Sequence, residues 1–406
     1  MSLMSEYDVI ICGAGPAGLS TGISTLFYNK KAKVLILENR VEVGEEKCAE
    51  GLSKDWFRHM KRFGKYLLSN LHAKCFENEI LGTDLILPSG KRIIVRDKKP
   101  NGWVLNKDYL LKNLNAIFKK MGGQIELGVN VVGPVIKNNI IYGVEIESEK
   151  LMRGKCIVDA TGLTQNIWRK TLNIKEPLNK DDLEVCFQYK VEGCKIENPG
   201  VLQIHFGNNI APGGYGWVFP KGKNRANVGI GCQASRVENV LPFQEGFWDM
   251  LNLDGKIVSK KGGIVSSFKL PEEFVWSNLA CVGESARFTN PIHGGGTGPA
   301  MFGGYILGMN IANAIKNNEP MEEALLKYQN EIKDVRGKAH EYHYRTKNLL
   351  QSLNDDEIEI IFSFMTPDEW LKSMSFTKRE ILSIIGRIYK KNLRLGLKVT
   401  RYLGLS

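Results

Sequence analysis

A chain of 406 residues is long enough for two or three domains and a sizeable buried core. With 24% charged and 43% hydrophobic residues it has an ordinary globular balance, and no run approaches the roughly 18 apolar residues that would cross a bilayer. The formal charge of +11 favours anionic partners, yet there is no nucleic-acid module and no basic stripe interleaved with aromatics, which leaves a phosphate-bearing cofactor and an anionic membrane surface.

The N-terminal "MSLMSEYDVIICGAG" has no charged segment ahead of an apolar stretch. It predicts a cytoplasmic protein without a signal peptide. Residues 7–12, "YDVIIC", read as a buried strand entering the glycine turn "GAGPAG" and a helix, and 33–38, "KVLILE", as a second buried strand. Helical spacing over 106–121 places Leu110, Leu111, Leu114, Ile117 and Phe118 on one apolar face. "IVDATG" (157–162) is another buried strand ending in a turn. From about 175 to 270 the pattern changes to short alternating strands, "EVCFQYKV", "GVLQIHFG", "GWVFP" and "ANVGIGC", which predict an antiparallel sheet. "NLACVGESA" (278–286) returns to a buried strand, and "GPAMFGGYILGMNIANAIKN" reads as a helix with small residues on one face. Beyond about 320 the chain is helical and strongly charged. The eight cysteines are scattered with no CxxC pair, so reduced thiols are expected and no metal or cluster site.

Gly13, Gly15 and Gly18 form G-x-G-x-x-G between a strand and a helix, and Glu38 ends the next strand about 20 residues on. Gly13 suits the tight turn, Gly15 the close approach of a pyrophosphate, and Gly18 close helix–strand packing. The helix N-terminus supplies free N–H groups, and Glu38 can accept from a ribose diol. The set predicts adenine-dinucleotide binding. A second glycine-rich helix start at "CVGESARFTNPIHGGGTGPAMFGG" suits a ligand whose far end is also cradled, namely FAD.

The stretches "GAGPAGLS", "KCAEGLSK" (47–54), "DATG", "GYGWVFPKGKNRANVGIG" and "GESARFTNPIHGGGTG" resemble the geranylgeranyl reductase family of flavoproteins, within the p-hydroxybenzoate-hydroxylase-like group. The resemblance spans most of the chain and is greatest to archaeal members that saturate prenyl chains of membrane lipids. It implies an α/β fold: a Rossmann-type FAD-binding domain (1–60, 97–170 and 275–320), an inserted antiparallel β-sheet substrate domain (61–96 and 171–274), and a helical C-terminal region (321–406). It implies FAD contacts at Gly18 and Glu38, at Cys48, Ala49 and Gly51 of "CAEG", at Lys107 where relatives usually have Arg, and at Val131, placed at the end of the strand after the 106–121 helix. Glu284, where relatives have Asp, and Gly296 and Thr297 of the flavin loop complete the set; Thr297 stands where an aliphatic residue is usual.

Tyr215, Trp217 and Phe219 alternate and in a strand share one face. By periodicity that face is either sheet core or the wall of an apolar pocket; the resemblance implies the second, for an isoprenoid chain. An isolated prenyl double bond is not electrophilic, so hydride transfer from a flavin needs an accompanying proton and a site shielded from water. Cys48, Glu50 and His293 are the candidate donors, each with a packing role as the alternative. An FAD monooxygenase or halogenase of the same fold, and a non-catalytic electron-transfer flavoprotein at a membrane, are the competing functions. Only one dinucleotide fingerprint is present, so an external reductant (NADPH, ferredoxin or another) is implied. Finally, residues 384–406 place Arg387, Lys390, Lys391, Arg394, Lys398 and Arg401 at helical spacing, which predicts either a basic helix docking peripherally on an anionic cytoplasmic membrane face or a solvated helix packed on the body of the protein.

Overall fold

The computed structural model describes residues 6–44, 49–366, 369 and 378–405. Its first layer is a parallel sheet in the order Leu279–Cys281, Leu151–Asp159, Glu6–Cys12, Val34–Glu38, Gln124–Leu127. The short strand Val275–Trp276 edges it, and the antiparallel pair Val131–Lys137 and Ile140–Ile146 extends from Leu151–Asp159. All five residues of Val34–Glu38 are buried, as expected of a parallel strand covered on both faces. Val131 therefore opens a strand rather than ending the one after the helix; that earlier strand is Gln124–Leu127. The sequence-based boundary missed the turn at Gly128, whose φ of 69° breaks the chain there.

The helix Pro16–Tyr28 follows the first strand, and the helix Thr297–Asn317 crosses it closely. A Cβ on Gly304 would stand 2.6 Å from the Ala17 carbonyl oxygen, and one on Gly308 would stand 2.4 Å from that of Thr21. Small residues thus let two backbones touch, and Ser24 Oγ donates to the Tyr305 carbonyl at 2.8 Å. The helix Lys107–Lys120 buries Leu110, Leu111, Leu114, Ile117 and Phe118. The helix Lys61–Asn70 packs into this same core, with Phe63 stacked on Tyr305 at 5.4 Å between ring centres.

The second layer is a seven-stranded sheet in the order Lys256–Ser266, Leu183–Glu192, Arg225–Gln233, Tyr215–Pro220, Val201–His205, Gly82–Ile86, Arg92–Arg96. All neighbours are antiparallel except Val201–His205 with Gly82–Ile86. A small three-stranded sheet, Gly51–Ser53, Gly102–Leu105 and Phe76–Ile80, carries the chain between the layers.

The C-terminal helices Lys338–Ser352, Asp355–Ser363, Lys378–Lys391 and Leu393–Leu403 close over one end of the second sheet. Leu349, Ile358, Phe362, Ile385, Ile388, Leu395 and Val399 share a core with Leu87, Ile93 and Val95 of the sheet. The expected continuous basic helix is two helices. Asn392 is extended and its side chain accepts the Leu395 N–H, starting a new helix in a new direction. The six basic residues accordingly do not form one free face: Arg387 pairs with Glu369 at 2.6 Å and Lys398 with Glu357 at 2.7 Å. Lys390, Lys391, Arg394 and Arg401 are exposed.

Candidate functional site

One cavity of about 1460 Å³ runs between the two sheets and on under the C-terminal helices. At its dinucleotide end each glycine of the fingerprint has a separate reason. Gly13 has φ +114°, and a Cβ there would lie 2.4 Å from the Ala160 carbonyl oxygen. A Cβ on Gly18 would lie 1.9 Å from the Gly13 carbonyl oxygen, so this residue is packed behind the turn and does not line the cavity. A Cβ on Gly15 would meet no protein atom within 4 Å. It faces the cavity, so the space it leaves open is space for a ligand. Pro16 at the first helical position and the free N–H groups of the helix suit an anion there. Glu38 lines the same end, buried, with one oxygen 2.7 Å from the Ala14 N–H and the other 3.0 Å from that of Arg40.

The far end of a dinucleotide would meet Gly296 and Thr297, which begin the long helix on the cavity wall. Val131, Lys107, Ala49, Gly51 and Glu284 also line the cavity; Cys48 lies outside the described residues. Glu284 reaches the second sheet, where its carboxylate accepts from the Ser266 hydroxyl at 3.1 Å. A glycine-lined opening with a helix N-terminus at each end and an acid at the second strand fits FAD.

The "CAEG" segment is clamped by Glu50. This non-glycine residue has φ +74°, a strained conformation that its side chain helps to hold. Its carboxylate accepts from the Lys107 backbone N–H at 2.9 Å, the Asn227 amide at 2.8 Å and the Lys221 ammonium at 2.6 Å. Lys221 is itself buried and also meets Glu77 at 3.2 Å. His293 borders the cavity, and its Nδ1 accepts the Gly295 N–H at 3.1 Å. Its ring is exposed to the cavity, yet the protein around it withdraws it from bulk water and pushes its pKa down to about 4, with the nearby His343 and Arg336 acting in the same direction. The imidazole is neutral at neutral pH.

Tyr215, Trp217 and Phe219 all line the cavity, while the intervening Gly216 faces Phe247 on the other side of the sheet. The three rings also pack: Trp217 and Phe219 share a small core with Ile80 and Val104. Tyr215 donates its hydroxyl to the His293 carbonyl at 2.7 Å, tying the aromatic strand to the loop before the long helix. Beyond them the wall stays apolar and is mostly aliphatic, with Ile358, Ile384, Ile388 and Val399 beside the ring of Phe362 from the C-terminal helices.

Sequence reasoning missed two groups. Asp159 of "DATG" is fully buried and caps the following helix through the N–H groups of Ile167 and Trp168. A polar cluster joins Glu184, Lys347 and Gln351 of the cavity wall with Asp182 and Ser267 behind them, assembled from segments as far as 167 residues apart in sequence. The i, i+4 spacing of Lys347 and Gln351 in a helix was its only local trace.

The model of the geranylgeranyl reductase catalytic domain matches residues 182–265. The digeranylgeranylglycerophospholipid reductase 1 of Methanococcoides burtonii is 29% identical over 402 residues, covering 97% of this chain and 94% of that protein. The reductase of the same name from Methanosarcina acetivorans is 28% identical over 96% of this chain and 94% of its own length. Among solved structures, a geranylgeranyl bacteriochlorophyll reductase-like protein from Thermoplasma acidophilum superposes with a TM-score of 0.83 at 26% identity, covering 97% of this chain and all of that one. The halogenase PltM shares the fold alone, at 13% identity and a TM-score of 0.69 over 98% of this chain and 86% of its own.

Proposed function

The chain belongs to the geranylgeranyl reductase family, and from that premise we propose that it is an FAD-dependent reductase that saturates isolated double bonds of geranylgeranyl chains in archaeal-type membrane lipids or their precursors. The observation that carries this is the continuity of the cavity. One space joins the glycine turns of a dinucleotide site, the aromatic face of Tyr215, Trp217 and Phe219, and an aliphatic extension under the C-terminal helices. A polar hydroxylation substrate has no use for so long an apolar wall, whereas a prenyl chain does.

In this reading Gly13, Gly15 and Glu38 hold the adenosine and pyrophosphate part, with Gly18 packed behind their turn, and Ala49, Gly51, Lys107, Val131, Glu284, Gly296 and Thr297 hold the remainder. Reduced FAD supplies hydride to the alkene when bound. The protein's own residues position the chain and exclude water. Trp217 and Phe219 present apolar surface, and Tyr215 holds the loop that carries His293. Glu50 fixes the Ala49–Gly51 backbone through Lys221 and Asn227. The electron donor that reduces the flavin is external.

The substrate is a lipid, so the enzyme must reach a membrane. No helix among the described residues is long and apolar enough to cross one. Leu382, Leu393, Leu397 and Tyr402 are exposed on the two last helices, beside Lys390, Lys391, Arg394 and Arg401. Apolar and basic side chains presented together suit a peripheral contact with an anionic bilayer face.

The function is tested by mass spectrometry of a geranylgeranyl lipid after incubation with FAD-loaded, dithionite-reduced protein. The expected product gains one dihydrogen equivalent per double bond. Oxygen consumption stoichiometric with a hydroxylated or halogenated product would instead assign the monooxygenase chemistry of the same fold.

A further inference from the structure

Addition of hydride to one alkene carbon leaves the other needing a proton, and the donor has to hold that proton at neutral pH inside an apolar site. Of the three candidate donors, Cys48 lies outside the described residues, and the other two do not meet this need. Glu50 is an acceptor of three hydrogen bonds, one from an ammonium at 2.6 Å. His293 is neutral, and its Nδ1 accepts from a backbone N–H.

Glu184 is different. The strand Leu183–Glu192 carries Glu184, Cys186 and Gln188 at alternate positions, and all three line the cavity. Gln188 accepts from the Trp217 indole N–H at 3.1 Å, so this row of side chains runs alongside the aromatic face. Glu184 stands directly opposite Val265, and a Cβ on Gly294 of the loop before the long helix would come within 3.3 Å of Val265. The acid therefore lies between the aromatic wall and the proposed flavin loop. Its Oε1 accepts from Ser267 Oγ at 2.7 Å and from the Gln351 amide at 3.3 Å. Its Oε2 is buried and makes no hydrogen bond.

A buried carboxylate oxygen with no donor is costly, and a neutral carboxyl removes that cost by carrying the proton itself. Burial favours this and outweighs the groups around it, of which Lys347 opposes and Asp182 supports the neutral form. Asp182 lies two residues before it on the same sheet end and takes the Lys347 ammonium for itself at 2.6 Å. From the helix Lys338–Ser352 the other facing groups are Gln351 and Tyr344, whose hydroxyl turns to Asp182 at 3.4 Å. From the end of the strand Lys256–Ser266 come Ser267 and, through Ser266, the carboxylate of Glu284. Arg287 acts on the Asp182 side. Burial lifts the Glu184 pKa to about 7, with Asp182 raising it further and Ser267, Lys347 and Gln351 opposing.

We propose that Glu184 is the catalytic acid of this site: its carboxyl, turning toward the cavity that the residue lines, passes its proton to one alkene carbon as the other receives hydride. The inference rests on the reductase reading above. The π bond breaks and two C–H bonds form. The alkene is reduced, the reduced flavin is oxidised by two electrons, and Glu184 is left as a carboxylate that regains its proton from water.

The test uses the FAD holoenzyme with a geranylgeranyl lipid in detergent, comparing wild type with Glu184→Gln and Glu184→Asp. Glu184→Gln keeps the shape and the hydrogen-bonding capacity but not the acid. In wild type, lipid reduction is expected to fall as pH rises through about 7, because the donor must be protonated. Glu184→Gln is expected to lower the rate by about 100-fold or more and to abolish that pH dependence, with flavin content unchanged. Glu184→Asp, an acid drawn back by one methylene, retains part of the rate and a pH profile. A readout independent of turnover is the infrared spectrum of the oxidised, lipid-free holoenzyme. A neutral-carboxyl band that titrates near neutrality in wild type and is missing from Glu184→Gln is expected. Wild-type rate and profile in Glu184→Gln, or the same band in that variant, overturns the proposal. A wild type that leaves the lipid unreduced at every pH overturns the reductase reading itself.

Discussion

The indole of Trp217 occupies the space left by the missing side chain of Gly229: a Cβ on that glycine would stand 2.5 Å from indole Cζ2 and 2.6 Å from the Phe187 carbonyl oxygen. The two residues face each other across adjacent strands. The glycines of "ANVGIG" thus make room for a large ring on the cavity side of the sheet, which is why they stand beside the aromatics of "GYGWVFP" despite their entropic cost. Gly229→Ala is expected to displace the ring and to cost about 1–3 kcal/mol of stability. Trp217→Ala is expected to lower lipid reduction with flavin content intact. Unchanged turnover on a full-length prenyl lipid in Trp217→Ala would assign the ring to packing alone, so turnover and flavin absorbance are measured together.

Gly15 and Gly18 separate binding from folding. A side chain at Gly15 meets open cavity, whereas one at Gly18 meets backbone at 1.9 Å. Gly15→Val is therefore expected to give an apoprotein that melts like wild-type apoprotein but binds no FAD. Gly18→Ala is expected to lower the apoprotein melting temperature itself. Normal flavin occupancy in Gly15→Val would remove the basis for placing the pyrophosphate at that turn.

These glycines were legible because a turn and its neighbours in sequence determine their conformation. The central strands of both sheets were legible for the same reason, since buried apolar runs and short alternations are local patterns, whereas the more polar Gly82–Ile86, Arg92–Arg96 and Lys256–Ser266 were not assigned. The C-terminal break at Asn392 left a signal in the cap residue three positions before Leu395, but the surrounding basic periodicity masked it. Glu184 left none. In "DDLEVCFQYK" an acid alternating with apolar residues reads as a solvated strand face. Only the packing of Lys347 and Gln351 from a helix far along the chain encloses it. Such a site exists at the tertiary level alone.

Lys221 holds Glu50 in a strained backbone and is buried with it. Lys221→Met removes the ammonium from a buried carboxylate, which is expected to destabilise the fold by about 3 kcal/mol. Adding Glu50→Gln is expected to recover part of the loss, since the remaining amide needs no cation. Urea unfolding of the two variants and of wild type checks both signs; equal stability of Lys221→Met and wild type would refute the clamp.

Buried imidazoles govern the acid side of stability. Burial lowers the pKa of His205 and His340 from 6.5 to about 4 in the folded chain. Between those values the unfolded chain binds protons that the folded one does not. Stability from these groups is therefore complete above about 6.5 and is lost as pH falls toward 4. Melting temperature is expected to drop across that window. His340→Gln, which keeps a donor for the Phe268 carbonyl, is expected to show a shallower drop. An identical slope in that variant would place the titration elsewhere.

Membrane contact is testable without disturbing the cavity. Deleting residues 387–406 would also remove Ile388, Leu395 and Val399 from the core over the cavity, so loss of binding in that variant would be ambiguous. Replacing exposed Lys390, Lys391, Arg394 and Arg401 by Gln leaves that core in place. Each basic group near an anionic surface contributes about 1 kcal/mol, so the four together account for about 4 kcal/mol of docking. Exposed Leu393 and Leu397, at 66% and 57% exposure, have no core to fill and are positioned to enter the interface. The fourfold Gln variant is expected to lose salt-sensitive sedimentation with anionic liposomes, and Leu393→Ser with Leu397→Ser to lose the part that persists at high salt. Flavin content and turnover on detergent-dispersed lipid are expected to stay at wild-type values in both. If both variants sediment with anionic liposomes as wild type does, the two last helices are not the docking face, and the lipid reaches the cavity by another route.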